Sequence, residues 1–238
     1  MKKIAFFVEG QTEQLFLNKL LIEIAGSNNI AIELKKFKGK GKPTIDIFPK
    51  NLAQPINPNH SALIYDCGGD ESVKSRILEE YTDLINDGFI EIVGIRDLFP
   101  LTDLVKLESR LLNGLLIGGV FKQQPLPSKA IIIVAVNEIE SWFLAECNHF
   151  KCIDLGLTSS LIAANLTYNP CLDDMTLLPN PAEDLKNIYS LVGKVYNKDK
   201  KVVQKTVECL DYANMYLNVR PRIQKLDELI NRIDNFLT

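Results

Sequence analysis

The chain holds only two histidines, His60 and His149, among 238 residues. A histidine-based nucleophile relay therefore has little to draw on, because such a base also needs its own nucleophile and orienting partner. Glycine-rich phosphate loops are missing too. The segment VEGQTE has one glycine, so neither a Walker loop nor a dinucleotide fingerprint is present. No apolar run reaches the 18 or more residues expected of a membrane-spanning helix. The five cysteines (Cys67, Cys147, Cys152, Cys171 and Cys209) form no Cys-x-x-Cys pair. That usage predicts free thiols in a reducing, cytoplasmic setting rather than a disulfide framework. The run Cys147-x-His149-x-x-Cys152 departs from the usual zinc-finger spacings and is read as ordinary thiols. A strong excess of one charge is also absent. A net charge of −3 gives no global pull toward nucleic acid or membrane, so any polyanion site must be a local patch. Two lysines precede the first apolar run, but that run is too short before Glu9 for a secretory signal core.

What is present is an ordinary globular composition, 46% hydrophobic and 24% charged, in a length suited to one large domain or a domain with an appended subdomain. Short apolar runs alternate with helix-period segments. Residues 3–8 (KIAFFV), 30–37, 61–65 (SALIY), 89–95 (FIEIVGI) and 130–136 (AIIIVAV) read as strands, the last β-branched and central. Residues 12–24, 71–86 and 103–116 read as helices. The order predicts an α/β domain with a mainly parallel sheet covered by helices on both faces. No strand pattern appears after about residue 140. Asn180-Pro181 looks like a capped helix start, and stretches at 181–192, 199–213 and 221–236 are periodic. The expected division is an α/β domain over 1–145 and a helical region over 146–238 packed on it.

Several strands run into acids. Glu9, Asp66 and Asp97 close three of them, and Glu138 and Glu140 follow a fourth. Parallel topology would gather these ends at one edge, where carboxylates repel unless a cation lies among them. Hard oxygen ligands suit Mg²⁺ or Mn²⁺. Glu13, in the first turn after Glu9, faces the same place, with Gly10 expected to permit a tight bend. Acids also favour first helical turns for dipole reasons alone. Two lysine groups stand out. Lys36, Lys38, Lys40 and Lys42 alternate with glycine and aromatic residues, and Lys198 and Lys201 lie near Tyr196. They are candidate contacts for a nucleic-acid backbone or else solvated surface.

VEGQTE resembles the first motif of the TOPRIM domain, the catalytic module of topoisomerases, primases and the overcoming-lysogenisation-defect nucleases. Glu9, Gly10 and Glu13 fit that motif. Asp66 fits the first position of its later Asp-x-Asp, whereas Gly68 departs at the second, with Asp70 the next acid. VAVNEIESWFLAE, VGIRDLF and much of the C-terminal third are similar to a small bacterial family of TOPRIM-like proteins. Some of these are encoded among phage-defence genes, and the family is related to the RloB-like defence nucleases. The resemblance implies a TOPRIM/Rossmann-like fold and a metal-dependent nuclease or phosphodiesterase acting on DNA or RNA. In that reading Glu9, Glu13 and Asp66 are catalytic. Glu9, Asp66 and Asp70 hold Mg²⁺ or Mn²⁺, with Asp70, Asp97 or Glu140 substituting for the carboxylate missing at Gly68 and Glu138 a further candidate acid. Tyr65 lies in a buried run, so hydrolysis is expected rather than strand passage. A partner ATPase or another defence protein is a further implication. The alternative is a degenerate, non-catalytic module that binds nucleic acid or a partner.

Overall fold

A computed structural model describes residues 1–37, 44–45 and 55–238. The side chain of Asp70 lies outside what is described, as do Lys38, Lys40 and Lys42 and most of the proline-containing segment around them. The chain divides into two compact units, residues 1–134 with 233–238, and residues 135–232. The sequence-based boundary near 145 thus lies one short helix later than the observed one, and the last six residues group with the first unit.

The first unit is built on β1 (Lys2–Val8), α1 (Gln11–Ala25), β2 (Ile30–Lys36), β3 (Thr44–Ile45), β4 (His60–Asp66), α2 (Asp70–Asn86) and β5 (Phe89–Asp97). α3 (Leu104–Asn113), β6 (Leu115–Ile117), β7 (Val120–Gln123) and β8 (Ala130–Ala135) complete it. The main sheet has the order β3-β2-β4-β1-β5-β8 and contains five parallel strands, with β3 antiparallel at one edge. This is the α/β class expected, a Rossmann-like parallel sheet flanked by helices. Ile4 to Val8 of β1 are wholly buried, as a central strand covered on both faces must be. On one face Ala5, Phe7, Leu63 and Tyr65 meet Val73, Ile77 and Leu84 of α2. The Tyr65 ring stacks on Phe7 at 4.4 Å between centroids, so it belongs to the core as its sequence context suggested. α2 sits so close to β5 that a Cβ on Gly94 would come within 3.0 Å of Ile77 and Val73 and within 2.7 Å of Ile132. Glycine there is a packing requirement.

One expectation needs correction. The helix pattern over 103–116 overruns. α3 ends at Asn113, and residues 115–123 form a separate two-stranded hairpin, β6 with β7. The apolar spacing of LLNGLLIGGV continues a helical period across Gly114, whose backbone at φ +76° stops the helix.

The second unit is helical: α4 (Glu140–Ala145), α5 (His149–Ile153), α6 (Ser159–Asn165), α7 (Pro181–Ser190), α8 (Lys200–Cys209), α9 (Tyr212–Asn214) and most of α10 (Gln224–Leu237). α7 starts with Pro181 in its first turn, as read from sequence. Trp142 is buried core. The cysteine expectation is overturned here. Cys147 is bonded to Cys171 and Cys152 to Cys209, leaving only Cys67 as a free, buried thiol.

The second unit also turns on one buried carboxylate. Glu146 Oε1 accepts from the Asn148 N–H and from Asn214 Nδ2, and Oε2 accepts from the N–H groups of His149 and Asp211. It caps α5 and ties it to the segment beginning at Asp211. Burial works to raise the Glu146 pKa, but bonds from His149 and Asn214 outweigh it and hold the group below the ordinary glutamate value. The stabilisation is therefore present above that ordinary value, about 4.3, and is lost as acid carries the pH down through the depressed folded-state value. Glu146→Ala would strand several buried donors, each costing ~1–3 kcal/mol. We expect urea unfolding to show a loss of about 3 kcal/mol or more at neutral pH, shrinking below pH ~4.

Candidate functional site

The chain leaves β1 through α1 toward β2, on one side of the sheet, and leaves β5 toward β8, on the other. Adjacent parallel strands whose connections diverge open a crevice at their carboxyl ends, and this is where α/β sheets bind ligands. Val8, the last residue of β1, is level with Asp66 of β4 and Ile95 of β5. Glu9, Asp66 and Asp97 consequently meet at one edge.

Their hydrogen bonds fix this arrangement. Glu9 Oε1 accepts the Asp97 backbone N–H at 2.6 Å across the β1–β5 divide. The Glu9 carbonyl accepts from Gly69 N–H at 2.7 Å, and the Val8 carbonyl from Cys67 N–H, so the β4 exit is tied to the β1 exit. Asp66, almost fully buried, accepts the Gly68 N–H on Oδ1 at 2.9 Å and the Lys36 ammonium on Oδ2 at 2.6 Å. Glu13 is also buried, and its carboxylate accepts the Gly10 N–H at 3.0 Å, one half of a capping box for α1. Gly10 itself is extended, at φ −162°, and a Cβ there would make only an ordinary contact with Glu13. It is not needed for a tight bend.

Gln14 was not singled out from sequence. Its amide donates to the Lys35 and Ile64 carbonyls, joining β2 and β4 just below the edge. A buried glutamine one residue beyond an acidic capping position was the available signal. Lys36, expected to contact nucleic acid, pairs with Asp66 and keeps its side chain 42% exposed. Taken by itself, neither unit has three acid, histidine or cysteine ligand atoms within 4.8 Å of one another among the described residues.

Glu138 and Glu140, the remaining candidate acids, are side by side within the second unit, each with a carboxylate oxygen within 4.8 Å of the other's. Glu138 accepts the Ala182 N–H at the start of α7, and Glu140 accepts from the Tyr196 hydroxyl at 2.9 Å. Lys198 spans both carboxylates at 3.4 and 3.5 Å. Like Lys36 it pairs with acids of its own unit, and its side chain is 54% exposed. Lys201 has a different setting. With Lys194 and Lys205 it lines a cavity of ≈ 180 Å³ floored by Ile153, Tyr189 and Val202.

Glu140 is completely buried and its Oε2 has no hydrogen-bond partner. Burial raises its pKa, with the Lys198 charge opposing. A carboxyl that holds its proton more tightly folded than unfolded costs stability as the pH rises above the ordinary glutamate value. Glu140→Gln, which keeps an acceptor for Tyr196, is expected to flatten the fall in melting temperature as the pH rises above the ordinary glutamate value. An unchanged pH profile would show that Glu140 ionises normally.

Among the described residues no helix is long and apolar enough to cross a membrane. No family model matches the chain, and neither a curated protein nor a solved structure does.

Proposed function

We propose that the chain is a metal-dependent nuclease or related phosphodiesterase working at the carboxyl edge of β1, β4 and β5. The observation that carries this reading is the placement of Glu9, Asp66 and Asp97 at the switch point, with Glu9 held across it by the Asp97 N–H. The resemblance of VEGQTE and NEIESW to the TOPRIM-like family supports it. The donor chemistry suits Mg²⁺ or Mn²⁺, since Glu9 and Asp66 offer hard carboxylate oxygens from adjacent strand exits. Asp70 follows on the next helix turn. A bound divalent ion would polarise a phosphodiester and lower the pKa of a coordinated water.

The protein's own contribution is positional. The β1–β5 hydrogen bond sets the Glu9 carboxylate, and the Gly68 N–H orients Asp66. Lys36 neutralises Asp66 in the resting arrangement and would yield it to the ion, leaving its ammonium to meet a phosphate. DNA or RNA is the proposed substrate, a defence role against phage the proposed setting, and a partner ATPase the proposed companion.

A second reading is favoured by the Lys36–Asp66 pair itself, which already satisfies one of the two best metal ligands. In that reading the edge is inert and the protein binds nucleic acid or a partner without cleaving it. Incubating the full chain with single- and double-stranded DNA and RNA separates the two. Cleavage dependent on Mn²⁺ or Mg²⁺, abolished by chelation and by Asp66→Asn, supports the enzyme. Salt-sensitive binding without cleavage supports the module.

A further inference from the structure

The β6–β7 hairpin is apolar and entirely exposed. Leu116 pairs with Phe121 and Ile117 with Val120 around a Gly118-Gly119 turn, whose φ values of +59° and +77° match the turn that best fits strand twist. Paired residues share a face, so Leu116 with Phe121 covers one side of the ribbon and Ile117 with Val120 the other. These four side chains are 45–59% exposed. Packing on one side of the hairpin would leave the other uncovered. Among the described residues this sheet has two strands, so both outer strand edges are open to pairing. An isolated two-stranded hairpin is marginal in water and needs further strands or a covering surface.

Large apolar side chains are also exposed on α3, the helix that leads into the hairpin. Val105 and Leu112 lie seven residues apart, hence on one face of that helix, and are 77% and 57% exposed. The Leu112 carbonyl accepts from Leu126 N–H, tying the end of the helix to the segment that follows the hairpin.

We infer that this hairpin, with the outer face of α3, is a self-association arm that packs against the same surface of a second copy of the chain. Exposed area favours that occupant. With Leu115, seven large apolar side chains are roughly half exposed, and at ~150–250 Å² for a large side chain in full they leave on the order of 600 Å² uncovered. That total is spread over both faces of the ribbon and α3, so only an occupant that covers both faces of the hairpin, as a clasping second copy would, buries all of it. With backbone and flanking polar atoms it approaches the ~800 Å² per partner of a standard interface. Charge agrees. Within the hairpin Lys122 is the only charged residue between Gly114 and Gln124, with Glu108 the acid on the Val105–Leu112 face of α3, so the hairpin offers a charged partner little and repels its own copy weakly. A two-fold arrangement lets one apolar patch meet itself and joins two hairpins into a larger sheet with fewer open edges. The inference is independent of the phosphodiesterase reading.

Sedimentation equilibrium of the full chain tests it. The wild type is expected to be dimeric at about 100 µM, and Ile117→Lys with Phe121→Lys to weaken association by at least ~100-fold. The variant should retain the wild-type circular dichroism, since both side chains project into solvent. Amide exchange over 115–123 should slow as wild-type concentration rises and not in the variant. A wild type that stays monomeric at that concentration overturns the inference, and so does a double-lysine variant that remains dimeric.

Discussion

Glu9→Gln is expected to leave the fold intact and to lower divalent-ion-dependent cleavage by at least ~10²-fold, within the ~10²–10⁴ attributed to a positioned general base. Glutamine suits the test because Glu9 makes a structural contact besides its proposed role at the metal. Its Oε1 accepts the Asp97 N–H at the β1–β5 exit, and alanine would leave that donor unsatisfied at a cost of ~1–3 kcal/mol. Lost activity in Glu9→Ala could then reflect a loosened edge. Glutamine keeps an acceptor for the same N–H and removes only the negative charge. Unchanged melting with lost cleavage and weakened Mn²⁺ binding, read by calorimetry, assigns the charge to the chemistry. Undiminished cleavage in Glu9→Gln would move any activity away from this edge. Lys36→Met supplies the complementary measurement. Removing the ammonium frees Asp66 Oδ2 for an ion, so metal affinity should rise while affinity for the polyanion falls.

The sheet was legible because its signals are local. An apolar run such as KIAFFV needs no distant information to be read as a buried strand, and parallel order followed from alternation with helices. The convergence of Glu9, Asp66 and Asp97 also followed, because parallel strands place their carboxyl ends together. What stayed hidden were partners fixed by tertiary contact. Asp66 finds Lys36 thirty residues away, and nothing in the local pattern of IELKKFKGKGK marks Lys36 as the partner of that acid. Lys198 is the same case, drawn to Glu138 and Glu140 by helical packing within the second unit. Glu146 gave no signal in sequence, because its four hydrogen bonds reach as far as Asp211 and Asn214. The hairpin at 115–123 was lost for the opposite reason. Its local pattern is ambiguous, and a helical period and a short hairpin both accommodate LLNGLLIGGV until Gly114 and Gly118-Gly119 are given their left-handed backbone.

Reduction of the two disulfides is expected to cost the second unit more than any single side-chain change. Cys147–Cys171 and Cys152–Cys209 close loops with sequence separations of 24 and 57. Loop-closure entropy removed from the unfolded chain corresponds to about 3.5 kcal/mol for the shorter and about 4 kcal/mol for the longer. The bonds are interleaved, each loop beginning within five residues of the other around α5, so the constraints overlap and their sum is an upper bound. The shorter bond joins the end of the α4 region to the segment before α7, where Arg222 also reaches the Cys171 carbonyl. The longer one fastens α5 to the end of α8. Thermal unfolding with and without a thiol reductant should separate the units, with a reductant-sensitive transition from the helical unit and an insensitive one from the sheet, whose only cysteine is the buried Cys67. Cys152→Ser with Cys209→Ser should reproduce the larger part of that shift without reductant. Non-reducing peptide mapping of the protein as isolated checks the premise directly. If all four thiols alkylate freely, the pairs are not bonded in that preparation, and the reductant should then leave both transitions in place. If they are bonded, their formation implies an oxidising step in the protein's history that its cysteine spacing alone did not foretell.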